Sequence, residues 1–535
     1  MQLFVDENSG RSLDMRKDRV MEQFYKFGVG FVKIAGMGLA GLLSVSGFLF
    51  TCYAQDMTSQ AVLRKWDNVL INILGMAVWG GLLWLAGWWG ARKPETRKRI
   101  LLLAVLAWCA VTGLVLVVFG KTVPAADSMS VYSIGEELAA GNLGVIHPVD
   151  SYLSYYPQQV GLAAYYEGII RLWNLLPWDV PAYHIIKCIN VGWACVLIFF
   201  LYKSVQLLFK DDRAECIFLV MAGANLPLIF YTSFVYGEIP SFACFTIGLW
   251  GLLRFLGGGP VIASPGRLAA LAGLTAAALA LSVMLRKNSL ILVIAAVLVL
   301  LFQWLKTGRH TLFLTALLCL VCSLAVLPLI QKGYEARSHN TLSSGVTAIS
   351  YVAMGMQESS RGNGWYNAFN FDTYQESGMD KAAASALSRQ AIGERLSYFK
   401  DHPGYAARFY MDKFLSQWAD GTYACRQATL ATFGGRSPFF QQVYEGRYSP
   451  VFIFLCNAYQ NILYAGTALF CLIALKKKTR PLFRNLPIYL CLIGVFGGFL
   501  FHMVWEANSR YIFPYGLLLM PYAAYGISRL GKPAG

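Results

Sequence analysis

The chain has 535 residues, 56% of them hydrophobic and only 14% charged, with a mean hydropathy of +0.49. Soluble domains carry about 25% charge, so composition excludes an ordinary soluble globular fold. The net charge of +16 raises the question of nucleic acid. The Lys and Arg lie mostly in short loops between apolar runs, and no basic, aromatic-interleaved soluble stretch occurs, so nucleic acid is not expected as a partner.

A basic N-terminal segment (Arg11, Lys17, Arg19, Lys26) leads into the first apolar run. No small-residue cleavage site follows, so it does not read as a signal peptide. Apolar stretches of about 20 residues, enough to cross a bilayer, recur along the chain. They fall near 31–54, 68–90, 99–120, 182–203, 214–231, 239–256, 268–285, 289–305, 311–330, 450–474, 485–503 and 512–529. The expected fold is therefore an all-α polytopic membrane protein of about 12 transmembrane helices. Basic loops at 91–99, 203–213, 306–309 and 476–484 fall on one side if the N-terminus is cytoplasmic. That predicts a multi-pass cell-membrane protein with both termini cytoplasmic.

Residues 159–176 test this topology. They are apolar enough to span, yet they carry Glu167 and Arg171 four apart on one helical face. A crossing here would invert every later basic loop, so the segment is expected to lie in the interface as an amphipathic helix. Two outer segments result, 121–181 and 331–449. The second reads as a loop to about 379, then helices near 380–399 and 403–418. Asp380 is the expected cap of the first helix. Tyr405, Phe409, Met411, Phe414, Leu415 and Trp418 give the second an apolar face to pack on the membrane portion. The expected division is 1–98 as an N-terminal segment with two extra spans, 99–330 as the membrane core, 331–449 as an extracytoplasmic block and 450–535 as the final spans.

The twelve cysteines lie mostly inside spans, with no pairing or metal-ligand spacing, and read as small buried apolar residues. His147 is the one histidine in the first outer loop, so no clear metal-ligand set is visible.

Polar patches gather at the outer edge, where charge is costly unless it pairs or binds something. Asp127 follows a span in Pro124-Ala125-Ala126-Asp127. A carboxylate at a low-dielectric edge suits a general base, and the plainer reading is a cap for helix 128–140. Tyr156-Pro157-Gln158-Gln159 offers phenols and amides suited to sugar hydroxyls, or interfacial aromatics with a Pro that opens a helix. Arg286-Lys287-Asn288 interrupts two spans and suits a phosphate clamp, or else snorkels to headgroups. Glu238, after Tyr236-Gly237, could orient a sugar, balance the basic pair or sit in a solvated turn. Glu506 and Arg510-Tyr511 close the eleventh span, and Glu506 with Arg510 could pair four residues apart. In the outer block, Arg361, Asn363 and Trp365 combine with glycines in a loop that allows close backbone approach.

In their order and sidedness these motifs resemble the C-type (GT-C) integral-membrane glycosyltransferases. That superfamily includes protein O-mannosyltransferase-like and aminoarabinose-transferase-like enzymes and many bacterial members. The resemblance covers roughly 99–530. It implies a polyprenyl-phosphate-linked sugar donor, hexosyl or pentosyl transfer at the outer face, and Asp127 as the catalytic acidic residue. It implies donor-phosphate contacts at Arg286, Lys287, Arg510 and Tyr511. Sugar or acceptor contacts would fall to Tyr156, Gln158, Gln159, Tyr236, Glu238, Glu506, Arg361, Asn363 and Trp365. The acceptor expected is a cell-envelope glycan or polymer. Some members bind a divalent metal. The two extra N-terminal spans depart from the common pattern, as does Ser128 where mannosyltransferases often carry a second acid, and protein O-mannosylation is not expected. A transporter or lipid-linked-sugar flippase is the alternative, but such proteins favour midplane sites in repeated halves, and no repeat is visible.

Overall fold

The computed structural model describes residues 7–54, 58–149, 151–257, 264–476 and 481–530. The first half of the chain runs α1 (Glu7–Leu49), β1 (Phe50–Ala54), β2 (Val62–Trp66), α2 (Val69–Gly90), α3 (Pro94–Gly120), α4 (Asp127–Ala139), α5 (Tyr152–Tyr155), α6 (Val160–Trp173), α7 (Tyr183–Phe209), α8 (Asp212–Gly223), α9 (Leu226–Tyr231) and α10 (Glu238–Gly257). The second half runs α11 (Pro265–Leu285), α12 (Leu290–Thr307), α13 (His310–Ser338), α14 (Ala348–Gly355), α15 (Phe369–Glu376), α16 (Lys381–Asp401), α17 (Pro403–Trp418), α18 (Cys425–Ala428), α19 (Pro438–Tyr444), α20 (Ser449–Leu475), α21 (Leu490–Val504) and α22 (Ser509–Ser528). The protein is an all-α polytopic membrane protein. Ten helices among the described residues are long and apolar enough to cross a bilayer: α1 from Met21, α2, α3, α7, α10, α11, α12 with its preceding turn, α13, α20, and α21 with its preceding turn.

Two expected spans differ. The 214–231 run is broken, because the Asn225 side chain accepts from the Leu228 N–H at 3.0 Å and caps a new helix with Pro227 in its first turn. α8 and α9 are then 12 and 6 residues long, so the run is carried by two short helices, each below the roughly 20 residues of a single spanning helix. α22 has 20 residues, but two prolines and four tyrosines lower its hydropathy. It lies almost wholly inside the bundle against α20. A Cβ on Gly526 would stand 2.1 Å from the Gly466 carbonyl oxygen, so only glycines allow that approach.

The first expected span also ends early. Phe50–Ala54 leaves the helix and pairs antiparallel with Val62–Trp66, Phe50 opposite Trp66 and Ala54 opposite Val62. Aromatic and β-branched residues suit this extended pairing. The interfacial segment forms α6, 14 residues long, with Arg171 and Glu167 paired at 2.8 Å. The expected loop before 379 contains two short helices, α14 and α15. Asp380 caps α16 by accepting from the Ala383 N–H at 2.6 Å. α17 buries Phe409, Phe414, Leu415 and Trp418, while Met411 of its expected apolar face is exposed.

Asp420, just past α17, is buried. Its carboxylate accepts from the Thr422 N–H (2.9 Å) and hydroxyl (2.6 Å), the Ala424 N–H (3.1 Å) and the Ser509 hydroxyl (2.7 Å). It thereby ties the hydrophilic block to the first turn of α22. Asp420→Ala leaves these donors unpaired and is expected to cost about 3 kcal/mol, whereas Ser509→Ala removes one bond and costs about 1 kcal/mol. Thermal unfolding in detergent tests this, and an unchanged midpoint for Asp420→Ala contradicts it.

Candidate active site

Loops between the helices close around a cavity of about 860 Å³. Asp127 lines it. The helix cap expected there does not form: Asp127 is the first residue of α4, the cap position belongs to Ala126, and no side-chain cap bond is made. Ser128 does the local work instead. Its hydroxyl accepts from the Ala125 N–H at 2.9 Å and faces the Ala125 carbonyl at 2.8 Å. Ala126 is held at φ +48°, a region L-residues seldom occupy. Such strain persists where the surroundings impose it, and here it immediately precedes Asp127. The Asp127 carboxylate has no hydrogen-bond or ion-pair partner among the described residues, and the residue is exposed within the cavity wall.

Arg286 follows α11, and Lys287 opens the single 3-10 turn that joins it to α12. The Arg286 guanidinium stands 3.1 Å from Glu238, and the Arg510 Nε stands 3.6 Å from the same carboxylate oxygen. Glu238 is only 5% exposed at its side chain and does not line the cavity. It is neither a solvated turn residue nor a wall residue; it lies behind the two cations and balances them. Gly237 makes this possible, because a Cβ there would meet the Leu285 carbonyl oxygen at 2.5 Å and the Arg286 side chain at 3.0 Å. Arg286 also lies over the Tyr236 ring, and Arg510 over Phe234, Tyr236 and Tyr511. The Gln159 amide donates to the Tyr236 hydroxyl. Three segments far apart in sequence thus form one cationic wall. Lys287, which is exposed, also lines the cavity and has no carboxylate partner among the described residues.

Glu506 lies in the turn between α21 and α22, outside any helix, so the expected pair with Arg510 four residues on does not form. Its carboxylate accepts from the Tyr511 hydroxyl at 3.4 Å. Burial pushes the Glu506 carboxyl up to about 7, with Arg510 opposing and Asp127 adding to the rise. The turn is docked on the hydrophilic block, where the Ala507 N–H donates to the Gly364 carbonyl at 2.7 Å and Trp365 bridges Ala507.

Of the residues proposed from sequence, Asp127, Tyr156, Gln158, Gln159, Tyr236, Arg286, Lys287, Arg361, Trp365, Glu506, Arg510 and Tyr511 line this cavity, whereas Glu238 and Asn363 do not. Sequence reasoning missed Tyr152, Tyr351, Asn508 and Asp420, and also Ala54, Thr58, Gln60 and Val62 of the hairpin region, all of which line it. Tyr152 belongs to the same tyrosine-rich run as Tyr156 and could have been included. One side of the cavity is apolar, formed by Leu290, Ile291 and Ile294 of α12, Phe501 of α21 and Trp505 just after it. No group of three or more His, Cys, Asp or Glu close enough to hold a metal ion occurs among the described residues.

No protein-family model matches the chain, and no curated protein matches it. Among solved structures it is similar to the archaeal oligosaccharyltransferase AglB from Archaeoglobus fulgidus in complex with an inhibitory peptide and a dolichol-phosphate. The identity is 15% and the TM-score 0.44, over 80% of this chain and 50% of that one. It is similar also to the Archaeoglobus fulgidus oligosaccharyltransferase in the apo form, at 15% identity and TM-score 0.42, over 79% of this chain and 50% of that one. The chain thus matches about half the length of these structures.

The raised Glu506 carboxyl fixes a sign. Between 4.5 and about 7 the folded protein holds a proton that the unfolded chain has released. Stability therefore falls as pH rises through that window, by up to about 3 kcal/mol in total. Glu506→Gln is expected to flatten this dependence, as read by melting temperature against pH. A variant that keeps the wild-type slope contradicts the assignment.

Proposed function

We propose that the chain is an inverting glycosyltransferase of the GT-C type. It moves a sugar from a polyprenyl-phosphate carrier to an envelope glycan or polymer on the extracytoplasmic side. The observation that carries this reading is one cavity that combines an unpartnered carboxylate, a cationic wall and an apolar wall. The apolar wall of α12 and α21 suits the hydrocarbon end of a lipid donor. Arg286, Lys287 and Arg510 suit its phosphate. Gln158, Gln159, Tyr156 and Trp365 suit sugar hydroxyls and ring faces.

Asp127 takes the proton of an acceptor hydroxyl, and that oxygen attacks the anomeric carbon. The bond from that carbon to the phosphate oxygen breaks as the new one forms. The electron pair leaves on the phosphate, where the guanidiniums and the ammonium meet the growing charge. One carboxylate suffices because a cation-paired phosphate needs no strong acid to leave. Attack opposite the leaving group inverts the anomeric configuration, and retention in the product contradicts the mechanism. On this reading 99–330 and 450–535 form the catalytic membrane portion and 331–449 covers its site.

A transporter would hold its ionisable groups at the bilayer midplane. Here Arg286 lies just past the end of α11 and Arg510 in the first turn of α22, which favours chemistry at the membrane edge.

Asp127→Asn is expected to reduce sugar transfer by about 10²- to 10⁴-fold with expression and melting temperature retained. Mass analysis of envelope glycans from cells that carry either form reads the result. Unchanged glycans with the Asn form move the base to another residue.

A further inference from the structure

The two extra helices at the N-terminus bring a structural element to the cavity. Ala54 of β1, Val62 of β2, and Thr58 and Gln60 just ahead of β2 line it. The hairpin is docked on both edges. The Cys52 N–H donates to the Ala419 carbonyl at 2.9 Å, and the Val62 N–H donates to the Arg361 carbonyl at 2.8 Å. Arg64 pairs with Asp412 of α17. The hairpin therefore has a fixed place beside the 361–366 segment.

Arg361 and Lys287 are the cavity cations with no ion-paired carboxylate among the described residues, and Arg361 is joined to the hairpin through its own carbonyl. Arg286 and Arg510 share the Glu238 carboxylate. Arg361 has no carboxylate partner among the described residues, and its guanidinium lies over the Tyr366 ring at 5.4 Å. A cation that lines a cavity beside a docked polar hairpin, with no carboxylate in ion-pair contact, is suited to an incoming anion. Lys65 of β2 is exposed outside the cavity wall, with its ammonium over the Tyr53 ring at 5.3 Å. Thr58 and Ser59 are exposed as well, so this edge of the site is polar.

We infer that the hairpin and Arg361 form the subsite that selects the acceptor. It would be a hydroxylated oligomer whose anionic group, phosphate or carboxylate, meets Arg361 while Gln60 meets a hydroxyl. This deepens the proposed function and relies on it for which substrate is the acceptor. A lipid donor enters along the apolar wall of α12 and α21, which is built by other elements. The hairpin thus acts on specificity and leaves donor binding to the cationic wall.

The test uses the full-length protein in nanodiscs and four probes: short oligo(glycerol phosphate), oligogalacturonate, a neutral maltodextrin of matched length, and polyprenyl monophosphate. The wild type is expected to bind at least one anionic oligomer about tenfold more tightly than the neutral one, and the better of the two identifies phosphate or carboxylate. Arg361→Gln is expected to erase that preference and Arg361→Lys to restore most of it. Gln60→Ala is expected to weaken oligomer binding severalfold. Polyprenyl phosphate binding should stay within about twofold in all three variants, which also reports an intact fold. Equal binding of anionic and neutral oligomers by the wild type, or wild-type oligomer binding by Arg361→Gln, overturns the inference. Absence of polyprenyl phosphate binding by the wild type overturns the lipid-donor reading instead, and leaves a measured anion preference at Arg361 standing.

Discussion

A buried carboxylate between two guanidiniums holds the site together. Taking any of these charges out of water alone would be prohibitive, and the arrangement is tolerable because the buried Glu238 is paired with two half-buried guanidiniums. Glu238 opens α10, Arg286 directly follows α11, and Arg510 belongs to the first turn of α22. One acid therefore registers three helices from distant parts of the chain. Two cations against one anion leave a net positive charge, and the aromatic rings of Phe234, Tyr236 and Tyr511 flank it. The surplus charge is what makes the wall a candidate for an anionic ligand rather than a closed structural salt bridge.

A second constraint positions the opposite carboxylate. Lys413 of α17 is fully buried, and its ammonium donates to the Gly355 carbonyl and, at 2.7 Å, to the Trp505 carbonyl. Burial pulls its amine down to about 7. The Gly355 and Gly364 backbones crowd this lysine and the 504–505 carbonyls so closely that a Cβ at either would come within 2.7 Å of them. The turn that carries Glu506 and the loop that carries Trp365 are thereby held as one unit. Ala126 adds a third device, a strained residue that sets the direction of Asp127. The membrane helices supply a rigid frame, and these three local devices decide what faces the cavity.

The charged part of this site was legible because charge beside an apolar run is conspicuous. Asp127, Arg286, Lys287, Glu506 and Arg510 each stand at such an edge, and the structure brings them to one cavity. The helical block after residue 380 was legible from its cap and its apolar spacing. What escaped was set by tertiary packing. Glu238 was legible as a balance for the Arg286-Lys287 pair, but its second partner Arg510, remote in sequence, was not. The hairpin was hidden because Phe50–Ala54 continues the apolar run of α1, and hydropathy does not register the change from helix to strand. The break at Asn225 rests on one capping side chain inside an otherwise apolar run. Asp420 reads as one more polar loop residue until Ser509 is placed against it.

Cryo-electron microscopy of the protein in nanodiscs with polyprenyl monophosphate puts the central claim to the most direct test. The account predicts density for the phosphate against Arg286, Lys287 and Arg510, the hydrocarbon chain along the apolar wall of α12 and α21, and Asp127 facing the space beyond the phosphate. A phosphate bound elsewhere in the molecule, or a cavity that stays empty at saturating lipid, would contradict it.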